Sequence, residues 1–357
     1  MRPYNILALN PGSTSTKVAL FGGAACLKQE NLTHGAEELK AFPGVVDQYH
    51  FRLAAVKDFV ASLGEVEIDA VVGRGGLLHP LSSGTYTVNE QMMADLRQGV
   101  QGEHASNLGG LLAQGLASEY NVPSFIVDPV AVDEMDEVAR ISGHPAIVRR
   151  SLFHALNVKA VARRAAADLG KPLSELNLVM AHLGGGISIV PLCRGRAVDV
   201  NNANEMGPFS PERTGTLPVG DLAALCFSGK FDARELRREL TGRGGMVAYL
   251  GTNDAREAYA RADAGDSEAA LVMEAMAYQI GKEIGAMATV LAGKVDAIVL
   301  TGGLAHSGRL TQDIAQYVNF IAPVLVHPGE DEMLALAEGA HRVLAGEEEA
   351  REYRGKQ

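Results

Sequence analysis

This chain is poor in cysteine, and its positive charges are outnumbered by negative ones. Its three cysteines, Cys26, Cys193 and Cys226, lie far apart and make neither a CxxC pair nor a metal-ligand spacing. That pattern excludes a thiolate metal site and leaves three separate reduced thiols. Lys+Arg number 32 against 43 Asp+Glu, a net charge of −11. So acidic a chain has no general electrostatic reason to bind nucleic acid or an anionic membrane, and any anion site has to be built locally. No window reaches the ~20 uninterrupted apolar residues of a transmembrane helix. The first apolar run stops at Asn10-Pro11, too short for a secretory signal, so the expected location is cytoplasmic. Common site signatures are missing as well: there is no P-loop, no GxGxxG fingerprint and no HExxH.

What remains is a globular composition, 47% apolar and 21% charged, over 357 residues. That length suggests two domains of ~150 residues each. The chain is organised around residues 5–21, NILALNPGSTSTKVALF. An apolar run at 6–9 reads as a buried strand, Asn10-Pro11-Gly12 as a turn, and 18–21 as the returning strand. Ser13, Thr14, Ser15, Thr16 and Lys17 fill the interval. Backbone N–H groups, hydroxyls and one cation at a single point suit a phosphate. An ordinary hydroxyl-rich hairpin loop reads the same way.

Further along, apolar residues at Phe51, Ala55 and Phe59 predict a helix over 48–62. A short buried strand at 68–72 runs into Gly73-Arg74-Gly75-Gly76. Helices are expected at 90–99 and 105–120, and a strand at 124–127 ending in Asp128-Pro129. An Ala-rich helix with Lys and Arg on one face is expected at 149–169, then a strand at 177–181 meeting His182-Leu183-Gly184-Gly185-Gly186, with 187–192 returning. Residues 201–218 are polar and aperiodic, and a loop of that length inside a compact protein is usually functional. The longest helix is expected over 266–293, where Leu271, Val272, Ala275, Met276, Ile280, Ile284, Met287, Val290 and Leu291 follow a 3.6-residue period. Asp266-Ser267 offers its N-cap and Gly293 its stop. A strand at 296–300 ends in Thr301-Gly302-Gly303, an amphipathic helix covers 330–344, and the charged tail after Gly346 is expected to fray.

The chain repeats itself. Residues 5–21 can be laid on 177–192, NLVMAHLGGGISIVPL, and AVVGRGG at 70–76 on AIVLTGG at 297–303. Two related halves follow, each a mixed sheet with helices. The expected ligand position is a cleft with Gly-rich turns on both sides, which suits a nucleoside triphosphate. Among residues able to do chemistry, Arg74 at a strand end and Arg213 in the polar loop are candidates to clamp a phosphoryl group or a carboxylate. Asp128 and Glu332 are candidates to hold Mg²⁺, which takes one or two carboxylates with phosphates and water. Glu332 reads equally as a first-turn helix residue. His104, His154 and His182 stand near expected loops.

LNPGSTSTK (9–17), VGRGGLLHPL (72–81), HASNLG (104–109), AHLGGGIS (181–188), NNANEMGPFSPERTGTLP (201–218) and TGGLAHS (301–307) together resemble the butyrate kinases of the acetate kinase family. That family sits within the acetate/sugar kinase, Hsp70 and actin superfamily. The resemblance covers nearly the whole chain in the same order. It implies an α/β, duplicated ribonuclease-H-like (actin-like ATPase) fold, one domain over 1–145 plus 333–357 and the other over 146–332. It implies reversible phosphoryl transfer between ATP and a short-chain fatty acid, with Mg²⁺, and a homodimer or higher homo-oligomer. By match to the family motifs, Asn10, Ser13, Ser15 and Lys17 form the first phosphate turn. Likewise His182, Gly184, Gly185 and Gly186 belong to the second phosphate loop, and Thr301, Gly302, Gly303, Leu304 and Ala305 to the adenosine loop. Arg74 and Arg213 take the active-site arginine positions, and Asp128 and Glu332 those linked to Mg²⁺. Val72, Pro80, Arg74 and His104 are the expected acid-binding residues. Asn157 stands where acetate kinases carry a second histidine, and is left able to donate one neutral hydrogen bond. Other expectations from the same motifs are an acetate, propionate or branched-chain acid kinase, and a non-enzymatic ATP-binding scaffold of the actin or Hsp70 sort.

Overall fold

The structure, a computed structural model, describes residues 2–356. The chain forms two compact units, Met1–Asp133 with Asp331–Gln357, and Glu134–Glu330. The sequence-based boundaries at 145/146 and 332/333 fall elsewhere. Residues just after 133 belong to the second unit because Glu134 binds Lys159 and the Ala197 N–H, and the Asp136 N–H donates to Val198 O.

Unit 1 is built on strands β1 (Asn5–Pro11), β2 (Ser15–Gly22), β3 (Ala25–Thr33), β4 (Ala70–Arg74), β5 (Thr85–Thr87) and β6 (Ser124–Val127). Unit 2 holds β7 (Asn177–Leu183), β8 (Ile187–Cys193), β9 (Arg196–Ala197), β10 (Ala297–Gly302) and β11 (Val324–Pro328). The last strand, β12 (Arg351–Glu352), returns to unit 1. Its sheet has seven strands in the order β12-β5-β6-β4-β1-β2-β3. The hairpin β1–β2–β3 is antiparallel, while β4 and β6 extend it in parallel. Both faces are covered, so β1 is apolar along its length instead of alternating. Helices Tyr49–Ala61 and Asn107–Tyr120 contribute to the core cluster with Leu7, Leu9, Val18 and Val71. Glu332–Leu344 adds Leu336, Ala337 and Ala340, all fully buried. Gly73 and Gly109 let β4 and the helix Asn107–Tyr120 touch, since a Cβ on Gly73 would lie 2.1 Å from the Gly109 carbonyl oxygen.

Unit 2 has a five-stranded sheet, β11-β10-β7-β8-β9. Its core joins Val179, Ile189, Ile298 and Leu300 to the 24-residue helix Ser267–Val290 and to Gly308–Val318. Asp266 caps the long helix, accepting from the N–H groups of Glu268 and Ala269. Val272, Met276, Ile280, Ile284 and Met287 are buried as their period predicts, but Leu271 is 66% and Val290 43% exposed.

The repeat is visible in the ladders. Ile6 pairs with Ala70 and Leu9 with Gly73; the residues laid on them, Leu178 with Ala297 and Ala181 with Leu300, pair in the same register. The Asn5 N–H donates to Asp69 Oδ2 at 2.7 Å, and the Asn177 N–H to Asp296 Oδ2 at 2.8 Å. Each half is therefore a ribonuclease-H-like sheet with one way of starting its first strand.

Four expectations need correction. The first turn is shorter than read: Ser15 and Lys17 lie in β2, where Lys17 pairs with Asn10. The helix at 48–62 turns Arg52, Leu53, Val56, Phe59 and Val60 inward, so of the Phe51–Ala55–Phe59 row Phe59 is buried while Phe51 and Ala55 are half-buried. The Ala-rich helix starts at Ala155 because Arg149 is drawn into an ion pair with Asp199, and its Lys159 is buried against Glu134 instead of lying on an open face. The tail does not fray: β12 pairs with β5, and the buried Tyr353 hydroxyl donates to Asp95 Oδ2 at 2.7 Å.

Candidate active site

In unit 1 candidate residues gather at the ends of β1 and β4. Arg74 ends β4, and its Nη1 lies 2.5 Å from Glu332 Oε1. Glu332 opens the helix Glu332–Leu344, and its Oε2 accepts a 2.7 Å hydrogen bond from Asn10 Nδ2. Asn10, Arg74 and Glu332 thus meet, drawn from positions far apart in sequence. His104 joins them electrostatically: burial, and then the Arg74 charge, hold its imidazole below the usual histidine pKa. Ser106 N–H donates to His104 Nδ1, which leaves the neutral ring's proton on Nε2.

Asp128 follows β6 with φ of 37° and is almost fully buried. Its Oδ1 accepts from Ser83 Oγ at 2.6 Å and from the Gly84 N–H at 2.8 Å. Ser13 and Lys17 are exposed, Ser15 half-buried. The two expected acid-pocket residues have opposite settings: Val72 is sealed inside β4 and Pro80 is exposed.

Unit 2 assembles a second group. His182 is not in a loop but ends β7 with its ring buried. Its Nδ1 lies 2.8 Å from Asn157 Oδ1, and Thr301 Oγ1 donates to the same oxygen at 3.4 Å. Asn157 Nδ2 in turn donates to Gly329 O. The Asn157 amide is therefore spent on His182, Thr301 and the backbone, where the sequence left it able to donate elsewhere. His182 Nε2 lies 3.1 Å from Glu330 Oε1 but has no aligned hydrogen-bond partner. His154 stacks on His182 with ring centroids 3.8 Å apart. The adjacent His182 ring, and then the imidazole charges of His182 and His154, lower the Glu330 pKa to about 2.

Beyond Glu330 opens a cavity of about 710 Å³, lined in part by Gly184, Gly185, Gly303, Leu304, Glu212 and Glu330. Two expected loops, the glycine turn after β7 and the segment after β10, thus share one cavity. Thr301, Gly302 and Ala305 lie behind it, buried. Gly186 faces Arg213: a Cβ there would lie 2.0 Å from Arg213 Nη1, so the glycine makes room for the guanidinium. Arg213 donates to Ala203 O at 3.1 Å, and burial lowers its pKa while Glu212 opposes the shift. Arg74 and Arg213 belong to different units.

Sequence reasoning missed Glu330, and also Asn253, which donates to Glu212 Oε1 at 2.6 Å. Glu330 is two residues before the glutamate that was chosen, and the one usable signal was its acidic neighbourhood, Glu330-Asp331-Glu332. It missed Arg52 as well, whose guanidinium donates to the carbonyls of Gly12, Ser13 and Ser15.

Residues 140–324 match the model of the acetokinase family. A protein named probable butyrate kinase 2, from Caldanaerobacter subterraneus subsp. tengcongensis, is 52% identical over 98% of this chain and 99% of its own length. Butyrate kinase 2 of Clostridium acetobutylicum is 51% identical with the same coverage. Among solved structures, Porphyromonas gingivalis acetate kinase superposes with a TM-score of 0.78 at 21% identity, over 94% of this chain and 99% of that one. A propionate kinase from Francisella tularensis gives 0.72 at 19% identity, over 94% and 98%. The fold is that of these kinases, and the full-length identity shows that the chain belongs to the acetokinase family.

Proposed function

We propose that this protein transfers the γ-phosphoryl group of ATP to the carboxylate of a short-chain fatty acid, butyrate, giving the acyl phosphate and ADP, reversibly. The observation that carries this reading is identity above half, along essentially the whole chain, to proteins named butyrate kinase. A carboxylate is already ionised at neutral pH, so the acceptor needs no general base. Its oxygen attacks the γ-phosphorus in line, the bond to the β,γ-bridging oxygen breaks, and that oxygen leaves with ADP. Catalysis then rests on positioning and charge neutralisation.

The residues fit ATP. The unit 2 cavity has a ligand's size and is lined by Gly184, Gly185 and Glu330, and the buried ring nitrogen His182 Nε2 lies close behind the Cβ-free Gly184. In this reading Gly184, Gly185 and Gly186 offer backbone to the phosphates, Gly303 and Leu304 border the adenosine, and Asn157 fixes the His182 tautomer. Asn10, Ser13 and Ser15 present the first turn, with Lys17 a supporting cation. Arg74 and Arg213 neutralise charge on the phosphoryl group, and Arg74 with His104 orients the fatty acid.

The described residues contain no cluster of three or more metal-binding side chains. That fits Mg²⁺, which is held by one or two carboxylates together with phosphates and water. Asp128 and Glu332 would be those carboxylates, and the ion would supply charge neutralisation on the phosphates. A cytoplasmic homodimer completes the reading.

The test is a hydroxamate assay for acyl phosphate with ATP, Mg²⁺ and acids from acetate to valerate with their branched isomers. Product peaking at butyrate is expected. No product with any acid would sink the reading. One methylene is worth ~1–3 kcal/mol in a pocket, so a peak at propionate or a branched acid would shift the substrate without changing the chemistry.

A further inference from the structure

Arg52 is among the most buried side chains of the protein, 1% exposed, and it carries a charge. Its Nη1 donates to Gly12 O at 2.8 Å, Ser15 O at 2.9 Å and Thr16 Oγ1 at 3.2 Å. Nη2 donates to Ser13 O at 3.0 Å and, with Nε, to Gln48 Oε1 at 2.8 and 3.0 Å. Every acceptor is neutral. Among the described residues no carboxylate lies within ion-pair distance of it. A buried charge without a counter-ion is costly and rarely kept for stability alone.

The turn it holds explains the arrangement. In a trans peptide the C=O and N–H point in opposite directions. The peptide units whose oxygens face Arg52 are Gly12–Ser13 and Ser13–Thr14, so the N–H groups of Ser13 and Thr14 face away from it. Neither has a hydrogen-bond partner among the described residues, and both residues are exposed. The third side of the turn is pinned separately, where the His34 N–H donates to Thr14 O at 2.8 Å.

We propose that Arg52 is the positioning residue of the first phosphate turn: it holds the turn's carbonyls inward, points the Ser13 and Thr14 N–H groups outward, and has the nucleotide's phosphate as its counter-ion across the backbone. Arg52 touches no substrate; it acts through two peptide units. This rests on the kinase reading above, and the test separates the two.

ATP and AMP binding are measured by titration calorimetry on the whole protein and on Arg52→Lys, which keeps the charge and loses the forked geometry. The expected result is ATP binding weakened by about tenfold or more, as for loss of one or two charge-assisted hydrogen bonds, with AMP binding unchanged. Leu53→Ala, on the same buried helix face, serves as a control. It should lower the melting temperature and leave ATP affinity as in the wild type. If Arg52→Lys does not fold, Gln48→Ala removes the anchor behind the guanidinium and should weaken ATP in the same direction. ATP affinity unchanged in the folded Arg52 variant, or in Gln48→Ala where that variant is used, overturns the proposal. So does an equal loss for ATP and AMP, or an equal loss in Leu53→Ala. A wild-type protein that binds ATP but phosphorylates no acid overturns the kinase reading alone.

Discussion

At the scale of single residues, Glu330 and His182 form the site's most pH-sensitive contact. The adjacent His182 ring lowers the Glu330 pKa from 4.5 to about 2. The unfolded chain therefore takes up this proton first on acidification. The pair's contribution to stability is complete above pH 4.5 and is lost as pH falls from there toward about 2. An imidazole is ordinarily cationic throughout that window. Glu330→Gln should flatten this part of the stability curve, as read by urea midpoints on either side of pH 4.5. An unchanged acid slope would show that the pairing does not couple to folding. Arg52 shows why such residues escape sequence reading. Three of its acceptors are main-chain oxygens 37 to 40 residues earlier, and a carbonyl leaves no signature in a sequence. The usable signal was the alternative helix face, Leu53-Val56-Phe59-Val60, which leaves Arg52 pointing inward.

At the scale of elements, both hairpins and the parallel strands β4, β6 and β10 were legible, because continuous apolar runs bounded by turn residues are strong signals, whereas β3 and β11 were not read. The C-terminal strand was not. Its charged residues, Arg351 and Glu352, are exposed and pair through backbone alone. What docks the segment is Tyr353, whose hydroxyl donates to the buried Asp95 and accepts from the His79 N–H. Tyr353→Phe leaves Asp95 with Gln91 Nε2 as a side-chain donor and should destabilise the protein by ~1–3 kcal/mol. Denaturant unfolding followed by circular dichroism would measure this; a change below about 0.5 kcal/mol would mean that the tail contributes little to the folded state.

At the scale of the whole molecule, each unit carries one of the two candidate arginines, although the repeat sets Thr301, not Arg213, opposite Arg74. Arg74 is oriented by Glu332 inside unit 1 and Arg213 by Ala203 and Gly186 inside unit 2. In the proposed reaction each arginine neutralises charge on the phosphoryl group. Arg74→Ala and Arg213→Ala should then each lower kcat by a factor on the order of 10³. Stopped-time assays of acyl phosphate on folded variants would decide it. Near-normal turnover in either variant removes that arginine from the mechanism.

By itself the sequence determined the elements that carry the chemistry and their duplication. Apolar runs, glycine pairs and their repetition at 5–21 and 177–192 are local properties, and the register of β1 with β4 follows the same alignment as that of β7 with β10. Only the tertiary structure decided which polar groups meet. Asn10 reaches Glu332, His182 reaches Asn157 and Glu330, and Arg52 lies beneath the first turn. These contacts depend on which direction each strand end and helix face points once the sheets are covered. A pattern of hydrophobic residues sets which face is inside, but not which polar partner waits there.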